Sequence, residues 1–177
     1  TAVPTVFNGN DKETKFFNSL HYTDSVVYNF INQLKKMPSW QNTIVIISAD
    51  HGHYLPITGK RADDYRIPVL WLGGALKKQN VVIDKTVNQV DMAGSLAQQL
   101  HFKTDPFSFG KNIFDSTSQH WAFFTYNDGI GFVTDSSRTL FDNAGKRIVL
   151  EEGNTNKEHE RIAKALMQKL YADFLSR

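Results

Sequence analysis

The chain has 177 residues, 41 % hydrophobic and 21 % charged, with a net charge of +2. That is long enough for one domain with a real core, and the scattered basic residues exclude a dedicated nucleic-acid face, which needs clustered cations. There is no cysteine, which excludes disulfides, thiolate zinc sites and thiol catalysis, and no run approaches the ~18–20 apolar residues of a membrane span.

Residues 1 to 10 read as loop, with Pro4, Asn8, Gly9 and Asn10. The stretch from Asp11 to Met37 contains neither Gly nor Pro. Its apolar residues Phe16, Leu20, Val27, Ile31 and Leu34 fall near a 3.6-residue period, which predicts one long helix closed by Pro38. A break near Thr23-Asp24 is the alternative. Residues 43 to 49, rich in Ile and Val, predict a fully buried strand. Residues 52 to 66 are polar and irregular and read as a surface loop. Ile67 to Leu72 predicts a second buried strand, ended by Gly73-Gly74. Val90, Ala93, Leu96, Ala97 and Leu100 mark a helix of about three turns, with Asp91 as its cap. Alternation of strand and helix predicts parallel pairing through right-handed crossovers.

After about residue 115 the pattern changes. Trp121 to Tyr126, Ile130 to Thr134, Arg138 to Phe141 and Arg147 to Leu150 are short strand-like runs. They are separated by turns at Asn127-Asp128-Gly129, Asp135-Ser136-Ser137 and Asp142-Asn143-Ala144-Gly145, which predicts an antiparallel meander. Trp121, Phe123, Phe124 and Tyr126 read as sheet core. A final helix over roughly 156–176 carries Ile162, Leu166, Leu170 and Phe174 at i, i+4 spacing and should cover one face of the meander. The expected division is 1–115 and 116–177, with no flexible linker between the two parts.

The chemistry should centre on Asp50-His51-Gly52-His53, where the first strand runs out. In open α/β sheets ligands bind beyond the carboxyl ends of strands. A carboxylate and an imidazole together suit a borderline divalent metal, and glycine lets the backbone turn close to it. A catalytic metal site takes about three protein ligands plus an open position. Upstream of Asp50 the acids are Asp11, Glu13 and Asp24, all near or within the first helix, so the chain is expected to be inactive alone. Lys60 and Arg61 are read as part of a solvated loop, with a hold on an anionic group as the alternative. Arg66 is expected to pair with Asp63 or Asp64 or to cap the preceding helix. Asp24 is read as structural, and His21, His101, His120 and His159 as ordinary.

The phrase Asn42-Thr43-Ile44-Val45-Ile46-Ile47-Ser48-Ala49-Asp50-His51-Gly52 resembles the metal-binding strand of the alkaline phosphatase superfamily, in its sulfatase and lipoteichoic-acid-synthase-like branch. Tyr22-Thr23-Asp24, Arg66-Ile67-Pro68, Gln89-Val90-Asp91-Met92-Ala93 and Phe109-Gly110-Lys111 agree with further segments of that branch, in order. The resemblance implies the C-terminal part of an α/β/α sandwich with a small antiparallel subsheet and a terminal helix. It implies a parent enzyme that hydrolyses or transfers phosphate or sulfate esters, with Asp50 and His51 as metal ligands and His53 either on the substrate or supporting the metal ligands from behind. The metal would be Mn²⁺, with Mg²⁺, Ca²⁺ or Zn²⁺ as alternatives. The nucleophile and the remaining ligands would lie in an N-terminal half, the chain being a piece cut from a longer protein. Membrane anchoring and an extracytoplasmic location follow from the resemblance alone. The expected partners are an anionic ester substrate, the missing half of the domain, and a second copy at an exposed sheet edge, with no nucleic acid. A phosphodiesterase or phosphomutase of the same superfamily, and a non-catalytic domain that kept the fold, are the alternatives.

Overall fold

The computed structural model describes residues 3–103 and 109–177. They belong to two compact units, Thr1–Val82 and Ile83–Arg177.

The first unit is organised by one continuous helix, α1 (Lys12–Leu34). Asp11 caps it: its carboxylate accepts the Thr14 N–H at 2.9 Å and the Thr14 hydroxyl at 2.6 Å. These two bonds, the hydroxyl first, hold the Asp11 carboxyl below the usual carboxylate range. The alternative break at Thr23-Asp24 is not taken. The Thr23 and Ser25 hydroxyls bond back to the carbonyls of Ser19 and His21 and leave the helix intact. Residues 3–10 are loop, as expected, and Thr1 and Ala2 lie outside the described residues. Asn18 ties this loop to α1. Its side-chain oxygen accepts the N–H groups of Val6 and Phe7, and its amide donates to the Phe7 carbonyl.

After a short 3-10 turn at Pro38–Asn42 come β1 (Val45–Ser48) and β2 (Val69–Leu72). They pair antiparallel, with Val45 opposite Leu72 and Ser48 opposite Val69. The parallel pairing expected from the sequence is therefore wrong here. A parallel return needs a crossover packed on the sheet, usually a helix. The polar connection 49–68 supplies only a 3-10 turn, Arg61–Tyr65, so the chain doubles back. Nor are the two strands fully buried: β1 is half-buried, and Val69 and Leu70 of β2 are exposed.

The second unit begins with α2 (Asp91–Gln99) and continues as a four-stranded antiparallel meander. Its strands are β3 (Trp121–Tyr126), β4 (Gly129–Thr134), β5 (Ser137–Asp142) and β6 (Arg147–Gly153). Two-residue connections join β3 to β4 and β4 to β5, and Asp128 takes the left-handed conformation (φ 61°) that the first turn requires. On one face Ile130, Phe132 and Phe141, with Trp121, Phe123 and Ile148, form the core beneath α3 (Lys157–Ser176). Phe124 and Tyr126 lie on the other face. Their cross-strand partners are Gly131 and Gly129, and a Cβ at Gly131 would sit 2.2 Å from the Phe124 ring. The four aromatics thus serve both faces of the sheet.

Ala163, Ile162, Leu166 and Met167 of α3 join the core, but Phe174 is 75 % exposed. The i, i+4 expectation fails at that last turn for a geometric reason. A helix of 20 residues is about 30 Å long, whereas six-residue strands span about 20 Å.

Asp91 does not cap α2. The cap position is Val90, and Asp91 is the first helical residue, wholly buried. Its carboxylate accepts the Asn88 N–H (2.7 Å) and the Lys111 N–H (2.8 Å), and it pairs with the Lys111 ammonium (3.0 Å). That ammonium also donates to the Trp121 carbonyl and lies 3.7 Å from the Trp121 ring centre. Burial lowers the Lys111 pKa against the pull of Asp91. One buried ion pair therefore joins α2, the 110–113 segment and β3.

Two outcomes follow. Asp91→Ala strands a buried ammonium and two N–H groups, and should cost about 3–5 kcal/mol in urea unfolding followed by Trp fluorescence. For Asp11, the folded pKa is depressed, so its contribution is complete above the unfolded value of about 3.9 and is lost as pH falls through the folded value. Amide exchange at Thr14 should accelerate below about pH 4 in the native chain, while Asp11→Asn should keep its protection unchanged with pH.

Candidate metal centre

Asp50 and His51 follow directly on β1 and Ala49, in the turn that leaves the sheet. The two side chains stand together, with His51 Nε2 3.9 Å from Asp50 Oδ1, and they are 77 % and 90 % exposed. At that exposure they are no structural ion pair, because solvent-exposed pairs contribute little. Each is nevertheless oriented. Asp50 Oδ1 accepts the His51 backbone N–H at 3.0 Å. His51 Nδ1 lies 2.7 Å from the Gly52 carbonyl oxygen. A carbonyl only accepts, so Nδ1 carries the proton of the neutral ring and Nε2 keeps its lone pair. This backbone contact fixes the tautomer in the way partners of metal-ligating histidines do.

Gly52 is the pivot. A Cβ there would lie 2.1 Å from the Asp64 carbonyl oxygen and 2.8 Å from Tyr65 Cα. Only a residue without a side chain lets the turn after β1 pack on the Arg61–Tyr65 turn. Leu55 in the connection between them and Ala62 in the second turn are both buried. Arg66 donates its backbone N–H to the Asp63 carbonyl, and no side-chain ion pair of Arg66 occurs among the described residues.

His53 stacks between two rings. Phe16 of α1 lies parallel to it, with centroids 4.3 Å apart and planes 9° apart, and Tyr54 lies 4.5 Å away at 26°. Its Nδ1 accepts the Leu55 N–H at 3.0 Å, so the neutral ring presents Nε2–H as a donor. His51 and His53 are thereby held in opposite tautomers, one offering a lone pair and the other a proton.

The donor chemistry of Asp50 and His51 fits a divalent metal, but among the described residues no group of three or more His, Cys, Asp or Glu is gathered closely enough to hold one. Asp50 and His51 offer two donor side chains of the kind a metal takes, short of a full catalytic set.

Two pairings escaped the sequence reading. His120 Nδ1 lies 2.7 Å from Asp135 Oδ2, and Asp135 also accepts the Thr86 N–H. Burial pushes the Asp135 carboxyl up, and the bonds from Thr86 and His120 more than reverse it, leaving it below the usual range. His159 Nδ1 approaches the buried Ser137 hydroxyl at 3.3 Å. The β3–β4 register, which sets Trp121 opposite Thr134, places residues 120 and 135 side by side. The turn at Asp135 was the signal available for the first pairing.

The sulfatase family model matches residues 6–102, more than half of the chain. The chain belongs to the sulfatase family. A solved structure described as a protein in the alkaline phosphatase superfamily, from Vibrio parahaemolyticus, matches 98 % of this chain at a TM-score of 0.72 and 18 % identity. The match takes in 46 % of that structure's chain, so the present chain spans about half its length. No curated protein matches the chain. The α/β architecture with antiparallel sheets and a terminal helix is the alkaline phosphatase superfamily fold.

Replacing Gly52 tests the pivot. Gly52→Ala should destabilise the chain by about 1–3 kcal/mol or more, as overpacking does. The amide shifts of Asp64 and Tyr65 should move together with those of Asp50 and His51.

Proposed function

We propose that this chain carries part of the metal site of a phosphoric- or sulfuric-ester hydrolase or phosphoglycerol transferase, of the lipoteichoic-acid-synthase-like branch. Asp50 Oδ2 and His51 Nε2 bind the metal, and the His53 Nε2–H donates to an ester oxygen. The observation that carries this reading is the adjacency of Asp50 and His51 with His51 held as the Nε2 lone-pair donor. A divalent metal, when bound, polarises the ester oxygens and lowers the pKa of the attacking hydroxyl. Asp50 contributes negative charge, His51 a neutral nitrogen, and the Phe16–His53–Tyr54 stack keeps the donor in place. Mn²⁺ is the metal we favour, ahead of Mg²⁺, Ca²⁺ and Zn²⁺.

The nucleophile and the remaining ligands come, in this reading, from polypeptide outside these 177 residues, and the chain alone is inactive. Among the described residues no further strand joins the β1–β2 pair, and Val69 and Leu70 are exposed, which supports a seat for that polypeptide or for a second copy. The parent acts outside the cytoplasm on cell-envelope esters, anchored by segments elsewhere. Among the described residues no helix is long and apolar enough to cross a membrane.

Titration with Mn²⁺, followed by paramagnetic broadening of amide signals, tests this. Broadening should centre on Asp50 and His51, should need high-micromolar metal or more, and should vanish in Asp50→Asn/His51→Ala. Sub-micromolar binding by the chain alone would contradict the incomplete site. Broadening elsewhere would remove the assignment and leave a non-catalytic domain. In a polypeptide that includes the other ligands, His51→Ala should lower ester turnover by more than the ~10–100-fold seen when an outer partner of a metal ligand is changed.

A further inference from the structure

Asn8-Gly9-Asn10 is an exposed span without secondary structure, and it runs between two fixed points. On one side Phe7 is held by Asn18, whose side chain accepts the Phe7 N–H at 2.9 Å and donates to the Phe7 carbonyl at 3.0 Å. On the other side Asp11 is held by Thr14 as the cap of α1. Between these clamps, among the described residues, no hydrogen bond engages the Asn8 side chain or the Gly9 N–H.

The fold requires glycine at position 9. Its φ is 154°, and a Cβ there would lie 2.7 Å from Thr14 Oγ1 and 3.0 Å from Asp11 Oδ2. The helix cap thus excludes a side chain, and the same exclusion leaves the nitrogen that follows Asn8 unshielded. Asparagine is a thermolabile residue. Its side-chain amide carbon is an electrophile that the next backbone nitrogen can reach when no bulk intervenes. Asn8 is the one asparagine of the chain that precedes a glycine. Two others precede small residues, and both are held. The Asn143 amide donates to Met167 Sδ and the Ala144 N–H to Asp142. Asn18 sits inside α1 with its side chain spent on Val6 and Phe7.

We propose that Asn8–Gly9 is a self-modification site, at which the native chain deamidates and slowly releases residues 3–10 from α1. The Gly9 nitrogen, having lost its proton to hydroxide, attacks Asn8 Cγ. The new C–N bond closes a five-membered succinimide, and the Cγ–Nδ2 bond breaks to release ammonia. Water then opens the ring. Opening at Cγ leaves an ordinary aspartate, whereas opening at the main-chain carbonyl leaves an isoaspartate whose backbone runs through Cγ. In sum, one amide and one water give one carboxylic acid and one ammonia, with no oxidant and no cofactor. Either product sets a new carboxylate in the span before Asp11. The isoaspartate also adds one main-chain carbon, about 1.5 Å of path, between the Phe7 and Asp11 clamps. The Asn18 clasp or the Asp11 cap must yield to take it up.

The test is ageing of this chain in mildly alkaline buffer, native and in urea, read by mass spectrometry of the tryptic peptide 1–12. Asn8 should gain one mass unit at least tenfold faster than any other asparagine, at a native rate within threefold of the rate in urea. Isoaspartyl methyltransferase with S-adenosylmethionine should label the aged chain. It should not label aged Asn8→Gln, which keeps the amide but closes only through a slower six-membered ring. Amide signals of Val6, Phe7 and Thr14 should split as the chain ages, and Asn8→Asp, which adds the charge without the extra carbon, should move them less. A native rate more than threefold below that in urea would show that the fold shields the site and would overturn the proposal. Equal rates at Asn8 and Asn10, or unmoved signals at Val6, Phe7 and Thr14 in the labelled chain, would overturn it as well.

Discussion

Where β1 ends, the backbone of Gly52 lies against the backbone of Asp64 and Tyr65, closer than any side chain permits. That contact sets the direction in which the chain leaves the sheet. Asp50 and His51 sit just before it, and their orientation is local: one carboxylate oxygen is spent on the next N–H, and one ring nitrogen on the next carbonyl. His53 sits just after it, pinned by Phe16 and Tyr54. The groups left for a ligand are therefore a carboxylate oxygen, an imidazole lone pair and an imidazole N–H, arranged by backbone contacts and two rings. Preorganisation of this kind costs no rearrangement when a ligand arrives.

The second unit is held by different physics. A buried ion pair is weak evidence for stability, because desolvation of both charges opposes their attraction. The Asp91–Lys111 pair offsets that cost with bonds from two backbone N–H groups, a bond to the Trp121 carbonyl and the face of the Trp121 ring. Ser95 extends the network, bonding the Asp91 carbonyl and accepting the Ile113 N–H. Two segments noted for their family resemblance, Gln89–Ala93 and Phe109–Lys111, thus meet through the acid of one and the base of the other. Their shared role is to seat α2 against β3.

What could be read in the sequence was what depends on local periodicity. The extent of α1, the four strands of the meander and the start of α3 follow from spacing and turn residues, and all three are present within a few residues of expectation. Features that depend on a distant partner were not legible. The direction of β2 relative to β1 hinges on whether the polar 49–68 connection packs as a crossover, which no local pattern reports. Asp91 looks like any helix-start acid until Lys111 is brought to it. Asn18 looks like a helix surface residue, yet it receives the loop at Val6 and Phe7. For the candidate site, the residue types at 50, 51 and 53 were legible from the strand end and the resemblance. The tautomers and the Phe16 stack needed coordinates, because each joins residues through space.

The overhang of α3 creates a gradient along one helix. Near Ala163 its turns are anchored in the core, so opening them exposes the sheet and draws on the stability of the whole unit. Past Leu170 the large apolar side chains are mostly exposed, and a helical end of that length has little stability of its own in water. The same twenty residues thus begin as a structural brace and finish as a loosely held amphipathic spur, carrying Tyr171, Phe174 and Leu175 in contact with water.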